Sequence, residues 1–469
     1  MKKIVKYILI FVLALSVTQC SLDTKIYDQI PTEDAFATAQ DVSNALNGAY
    51  QKFGDYKFYG NYAVAMSDMI TDISQADASS GHFVTINSWT FDEYSTELLD
   101  MWETGYKVLD WCTRGINGGA ALIANGNLTA SDKEEVTACV SQMYSLRAMS
   151  SFVLVNYFGL PYRAGTANDA LGIVVLTTQP INAFQNVSRS TVGETYTQIL
   201  ADIVQAKAYM NELSDKSTIT QYNFNEAAIF AMEARVKLNM QDYAGAKSAA
   251  QDAITLRNSG DETPESYVTM WSKTAITNED IFTIVKSSAD NLSANSLNTL
   301  YNSYGGTLTA FTTGLINSTD IRIGLTDGSR GLKFDGIASS ADVSNVPVFR
   351  KSEMYLILAE SNLRISTPNI ADAKDALLYT AKRDTVTYKT VADLPSGQSA
   401  LLTLVANERV RELFQEGHRW YDLRRTGALA NIGGNATFDL SKFVLPIPGE
   451  EVLSGFGVVQ NPDWASTEP

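Results

Sequence analysis

Apolar residues recur at helical spacing along most of the chain. From Glu134 to Phe158, Val136, Val140, Met143, Leu146, Phe152, Val153, Val155 and Phe158 mark one helix, and Phe158-Gly159-Leu160-Pro161-Tyr162 stops it. Arg147 stands mid-helix on this apolar face, which predicts a buried acid or helix-end carbonyls as its partner. Trp102 and Trp111, at helical spacing with Tyr106 and Leu109, predict another buried stripe. Near the start, Thr32-Glu33-Asp34-Ala35-Phe36 followed by Asp41, Ala45 and Gly48-Ala49-Tyr50 predicts a first helix with a capping residue and acids in its opening turn.

The clearest pairing lies at 224–256. Ala227, Ala228, Ala231, Ala234 and Leu238 line one helix, Asp242-Tyr243 turns the chain, and Ala246, Ala249, Ala250 and Ala253 line the next. Small residues on facing ridges let two helices approach closely, as in tetratricopeptide repeats. A second copy spans Ser352 to Arg383, broken at Thr367-Pro368, and a third pair, Thr137 to Asn156 with Thr191 to Leu213, would be split by an insertion. The expected fold is mostly α, a tetratricopeptide-like scaffold with long loop and short-strand insertions.

Those insertions lack helical period and are rich in Ser, Thr, Asn, Gly and aromatics. They run about 68–94 and 267–348, and loops on a rigid scaffold carry binding. His82, Phe83, Asn87 and Trp89 fall in the first, with Phe91 and Tyr94; Trp271, Tyr301 and Tyr304 fall in the second, with Tyr267 and Phe311. Asn291, Asn298 and Asn302 are further candidate hydrogen-bonding neighbours, as is Asp92. Asp68, Asp72 and Asp77 lack the glycine and terminal glutamate of a calcium loop, and read as caps and solvated loop.

Near the C-terminus, Val410, Leu413 and Phe414, then Trp420, Tyr421 and Leu423, form a helical stripe in two pieces, interrupted at Gly417 and ended at Gly427. Glu408, Glu412 and Glu416 share one face, where like charges repel unless cations lie among them. A carboxylate ladder suits a general acid and base or half a metal site. Arg409, Arg411, Arg419, Arg424 and Arg425 match the acids locally, and this favours a structural ion network.

Composition narrows the chemistry. The formal charge of -16 opposes binding to nucleic acid, and two histidines with three cysteines offer no His/Cys zinc spacing; no cofactor or metal site is assigned, and an all-carboxylate calcium site stays open. Lys2, Lys3 and Lys6 precede an apolar run from Tyr7 to Val17, too short to span a bilayer, in the order of a signal peptide ending at residue 19. Val17-Thr18-Gln19-Cys20 resembles a lipobox, which makes Cys20 the expected lipidation site, with 20–31 as tether and 32–469 as one domain. Cys112 and Cys139 lie in helix-like segments, which favours free buried thiols over a disulfide.

Several of these stretches, taken in order, resemble the SusD/RagB family of Bacteroidetes surface lipoproteins. They are Leu146-Arg147-Ala148, Tyr157-Phe158-Gly159-Leu160-Pro161, Asn278-Glu279-Asp280-Ile281-Phe282, Asp320-Ile321-Arg322, the 408–425 signature, and Phe443 to Glu451 with Gln460-Asn461-Pro462. The resemblance implies an outer-membrane, cell-surface protein without catalytic residues that captures oligosaccharide and delivers it to a SusC-like TonB-dependent transporter. A sugar offers an apolar C–H face and a rim of hydroxyls, which call for flat rings beside amides, carboxylates or Arg. The expected ligand-binding set is therefore Trp89, Trp271, His82, Phe83, Tyr301, Tyr304 and Asn87. A peptide-binding variant, a secreted glycoside hydrolase using Glu408 or Glu412, and a scaffold without small ligand are the competing readings.

Overall fold

In this computed structural model the described residues are 35–177, 185–340, 343–433 and 435–464. The expected leader at 1–19, Cys20, the tether and the cap at Thr32 lie outside them. The long helices are α1 (Ala39–Phe53), α2 (Tyr62–Met69), α3 (Thr96–Ala124), α4 (Ala130–Phe158), α5 (Val192–Glu212), α6 (Glu226–Asn239), α7 (Tyr243–Arg257), α8 (Lys351–Arg364), α9 (Ile370–Ala381), α10 (Gln398–Leu413) and α11 (Arg419–Thr426). Polar caps mark where several of them begin. Thr38 and Asp41 exchange hydrogen bonds at α1, Thr191 and Glu194 do so at α5, and Asn225, Asp242 and Asn369 each accept an N–H at α6, α7 and α9.

Helices α6 with α7 and α8 with α9 form hairpins, α7 packs on α8, and α4 packs on α5 across the insertion between them. The split repeat is therefore real. Arg147 finds the buried acid its position requires: its Nε and Nη2 donate to Asp202 at 2.8 and 2.7 Å across the α4–α5 contact. Cys112 and Cys139 are free and buried. Trp111 departs from the expected core position. It is 37% exposed on α3, on a turn of the helix beyond the buried Trp102.

The strands are short and antiparallel. Strand β1 (Ser74–Gln75) pairs with β3 (Thr307–Leu308), β2 (Asp280–Ile284) with β6 (Val346–Arg350), β4 (Thr326–Asp327) with β5 (Arg330–Gly331), and β7 (Ala430–Ile432) with β8 (Asn435–Phe438). The register Asp280 to Arg350 sets Arg350 at the start of α8, against the end of α10.

There the glutamate ladder is buried. Glu412 accepts from Arg350 at 3.1 Å, Arg383 at 2.6 Å, Arg322 at 3.2 Å and the Tyr267 hydroxyl at 3.0 Å. Glu408 accepts from Arg322 at 3.0 Å and pairs with Arg411; Glu416 meets Arg350 at 2.7 Å and Lys333 at 2.5 Å; Glu279 meets Arg350 at 3.0 Å. With Asp320 on Arg322 at 2.6 Å, these carboxylates are matched one for one by Arg322, Lys333, Arg350, Arg383 and Arg411. A buried cluster needs this neutrality, because an unpaired ion in the interior costs several kcal/mol.

A structural network was expected, but its cations were misassigned. Of the nearby arginines only Arg411 joins the ladder. Arg409 and Arg425 clamp Asp422, Arg425 also holds Glu360 through two 2.7 Å bonds, and Arg424 donates to the backbone carbonyls of Asn156, Gly159 and Phe443. Arg419 grips Asp72 through two 2.7 Å bonds, and the Gly417 N–H donates to Asp68 at 3.3 Å. Asp68 and Asp72 are thus buried docking groups rather than solvated loop; Asp77 alone is exposed, accepting from Ser79. Gly417 sits at φ +80 with Val64 Cα 2.9 Å from where a Cβ would lie, so only glycine closes this contact.

Burial pushes the Glu412 carboxyl upward, but Arg383, Arg350 and Arg322 outweigh it and bring it to about 2. Burial likewise opposes, and the guanidinium groups reverse, the shifts of Glu408 and Glu279, which end below the ordinary glutamate range. Their depressed native values give stability that is complete above the unfolded carboxylate pKa of about 4.3 and is lost as pH falls through the native ones. Acid titration followed by circular dichroism should show unfolding setting in below about pH 4. Arg350→Met, which removes the cation shared by Glu279, Glu412 and Glu416 and leaves the cluster one positive charge short, should cost about 3–5 kcal/mol in urea unfolding at pH 7, and a loss under about 1 kcal/mol would show the network to be dispensable.

Candidate functional site

The β1–β3 pair brings the two insertions together. Ser74 lies opposite Leu308 and Gln75 opposite Thr307, the Thr309 N–H donates to the Ile73 carbonyl at 2.9 Å, and the Leu308 N–H donates to Ser329 at 2.6 Å. On this junction His82 and Tyr304 stack face to face, with centroids 3.8 Å apart and planes 10° from parallel. His82 is exposed and Tyr304 half-buried. Gly305, at φ +68, lies against Asp77, whose Cβ would be 2.9 Å from a side chain there; this close approach seats the Tyr304 loop on the His82 loop.

Asn87 is a brace for this platform. Its carbonyl oxygen accepts from the Ala76 N–H at 3.1 Å and its amide donates to the carbonyls of Met69 and Ser74 at 2.7 and 3.2 Å, which uses up the groups a ligand would need. Phe83 is buried under the platform, at φ +54, with its ring edge to Tyr62 at 5.4 Å. Tyr301 is 1% exposed and stacks on Phe334.

Trp271 is also a core residue. It is 8% exposed, with the Lys333 ammonium and Arg350 guanidinium over its ring at 4.9 and 5.1 Å, so it shields the ion network. Trp89 lies apart from His82 and Tyr304, packed among Phe438, Phe443 and Phe91, with its indole N–H donating to the Ile70 carbonyl at 3.1 Å. Of the seven expected ligand residues, the structure brings His82 and Tyr304 together at an exposed surface and turns Phe83, Tyr301 and Trp271 inward. All three are buried, so their rings offer little face to solvent in this conformation.

The polar groups near the stack include residues that sequence patterns do not mark. Gln75 donates to Thr307 at 3.2 Å, Asn302 donates to Asp335 at 3.1 Å, and half-exposed Arg330 approaches Asp335 at 3.6 Å and Asp327 at 3.9 Å. These Arg contacts are loose, so the guanidinium is available to a ligand. Asn302 alone among them stood out, as an amide near loop aromatics. Amides, carboxylates and one Arg beside flat rings can recognise a polyhydroxylated molecule. The candidate catalytic pair Glu408 and Glu412 lies away from this surface, buried in the ion network with its ionised forms favoured, whereas a general acid needs a raised pKa.

Comparison with known proteins agrees with this architecture along nearly the whole chain. The sequence model of the SusD family matches residues 220–442, and one described as starch-binding, associating with the outer membrane, matches residues 22–238. The chain belongs to the SusD/RagB family. The SusD-like protein P2 of Formosa agariphila is 24% identical to this SusD-family chain, across 97% of it and 99% of that protein. A SusD superfamily structure from Bacteroides vulgatus superposes with a TM-score of 0.80 at 26% identity, covering 92% of this chain and all of that one. A SusD-like carbohydrate-binding protein from the same species reaches 0.70 at 17% identity over 84% of each chain.

Position in the fold separates platform from core in a measurable way. Trp271→Ala and Tyr301→Ala should each lower stability by about 3–5 kcal/mol in denaturant unfolding, as large buried aromatics do. His82→Ala should stay within about 0.5 kcal/mol of the unmodified protein, as exposed positions do. Equal losses at all three positions would remove the distinction.

Proposed function

We propose that this SusD-family protein captures oligosaccharides at the bacterial surface and hands them to a SusC-like TonB-dependent transporter. It performs no covalent chemistry itself. The observation that carries the reading is the His82–Tyr304 stack, with Asn302 and the Gln75–Thr307 pair on the segments that flank Tyr304, and Asp335 and Arg330 linked to Asn302. Paired flat rings offer a surface to the C–H face of a pyranose, and the neighbouring groups offer donors and acceptors to its hydroxyls. The description of the family model over 22–238 and the carbohydrate-binding structural neighbour support a glycan over other ligands. Under this reading Cys20 carries the lipid anchor, residues 20–31 are a tether, and 32–469 act as one binding domain.

The test is calorimetric titration of the protein from residue 21 onward with plant, host and microbial glycans. The expected dissociation constants lie at about micromolar to millimolar, because a shallow surface retains only several kcal/mol after ordering costs. Tyr304→Ala should weaken binding of the active glycan class about tenfold or more, the loss of one stacked aromatic. Silence across the panel together with binding to peptides would overturn the glycan reading in favour of peptide capture.

A further inference from the structure

A second feature of this face is a cleft of 520 Å³ between the end of α1 and the segment that follows β2. Its volume falls in the range of about 300–1,000 Å³ typical of small-molecule sites. Half-buried Tyr56 and Tyr222 line it with exposed Asn47 and Gln51, the same pairing of rings and amides found at the platform. Lys286 stands in its wall. This lysine is 7% exposed, and its ammonium forms a loose ion pair with the exposed Asp290 carboxylate at 3.7 Å. A Cβ built at Gly54, another lining residue, would lie 3.8 Å from that nitrogen, which places the ammonium at the cleft. Buried lysines are normally paired. An ammonium held at the cleft by one loose ion pair keeps N–H groups to offer a ligand hydroxyl.

Packed aromatic rings connect the wall of the cleft to the platform. Tyr56 meets Tyr62 edge to face at 5.5 Å, Tyr62 meets Phe83 at 5.4 Å, and His82 is the next residue. Asn61 ties the same segment to the Asn295 carbonyl at 2.7 Å, which fastens it to the second insertion. Charge selects the ligand: the carboxylates of Asp55 and Asp290 also line the cleft, which disfavours a polyanion and suits hydroxyls that both accept from Lys286 and donate to acids. We propose that this cleft is a second subsite for the same neutral oligosaccharide, engaged by chains long enough to reach from the His82–Tyr304 stack. The proposal rests on the glycan-capture reading.

Maltohexaose, cellohexaose, xylohexaose and laminarihexaose, each with its triose, are titrated into the unmodified protein and into Lys286→Met, Tyr222→Ala and Tyr304→Ala. For the hexaose that binds, Lys286→Met and Tyr222→Ala should each weaken affinity about fivefold, as loss of one hydrogen bond implies, while triose affinity stays unchanged. Tyr304→Ala should weaken both lengths. Unaltered unfolding midpoints separate loss of contact from loss of fold. Hexaose affinity lost only in Tyr304→Ala overturns the cleft and leaves the platform standing. A preference for oligogalacturonate over every neutral series also overturns the neutral-ligand assignment, and no binding by the unmodified protein to any of these oligosaccharides overturns both readings.

Discussion

The buried carboxylate of Glu412 is the point on which the separate parts of this molecule converge. It faces Arg322, Arg350 and Arg383, which come from three stretches distant in sequence, and it holds its charge because they surround it. Ion pairs in the interior are not a cheap source of stability, since desolvation offsets most of the attraction. What such a cluster does impose is a fixed geometry: its members are neutralised only in one arrangement, and a displaced element leaves a charge unmatched. The helical repeats contribute bulk burial, whereas the network fixes how the non-helical insertions sit on them.

That constraint reaches the exposed platform by two routes. The second insertion is fastened through Arg322, Lys333 and Arg350 to Glu408, Glu412 and Glu416. The first is fastened a few residues further along the same signature, by Asp68 on the Gly417 N–H and Asp72 on Arg419. Both loops that supply the His82–Tyr304 stack therefore hang from residues 408–419. The network is a positioning device for the site although no member of it reaches solvent there. A Glu-Arg ladder that looks catalytic in sequence earns its place by holding loops in register.

The scaffold was legible in the sequence because its signals are local. Alanine ridges at 227–238 and 246–253, polar caps such as Thr191 and Asn225, and the Gly159-Leu160-Pro161 stop each act within a few residues of where they are read. The partners of Glu412 were not legible, since charge matching over 29 to 90 residues of separation leaves no local pattern. Arg409, Arg424 and Arg425 looked equally suitable and went to Asp422, Glu360 and backbone carbonyls. Trp271 and Tyr301 misled for a related reason. Their neighbours in sequence are largely polar, as for a surface loop, yet Trp271 joins a buried cluster with Tyr267, Leu308 and Phe414, and Tyr301 packs on Phe334.

The sorting of aromatics between core and surface follows from what each ring loses on burial. Phe83 and Phe91 have no polar atom to satisfy and go inside, and Trp89 follows once the Ile70 carbonyl accepts its N–H. His82 and Tyr304 carry polar atoms that stay solvated while their faces cover one another, so leaving them outside costs little. The consequence for recognition is preorganisation. Two rings already stacked, on loops pinned by Asn87, Gly305 and the β1–β3 ladder, lose little freedom when a ligand arrives. Under the glycan-capture proposal the entropy of ordering would then fall mainly on the sugar, and each additional ring or donor met along the chain would add to affinity with little further ordering of the protein. A flat surface with few contacts per sugar residue can in this way discriminate chain length, because successive contacts on one rigid body act on the same molecule rather than on separate encounters.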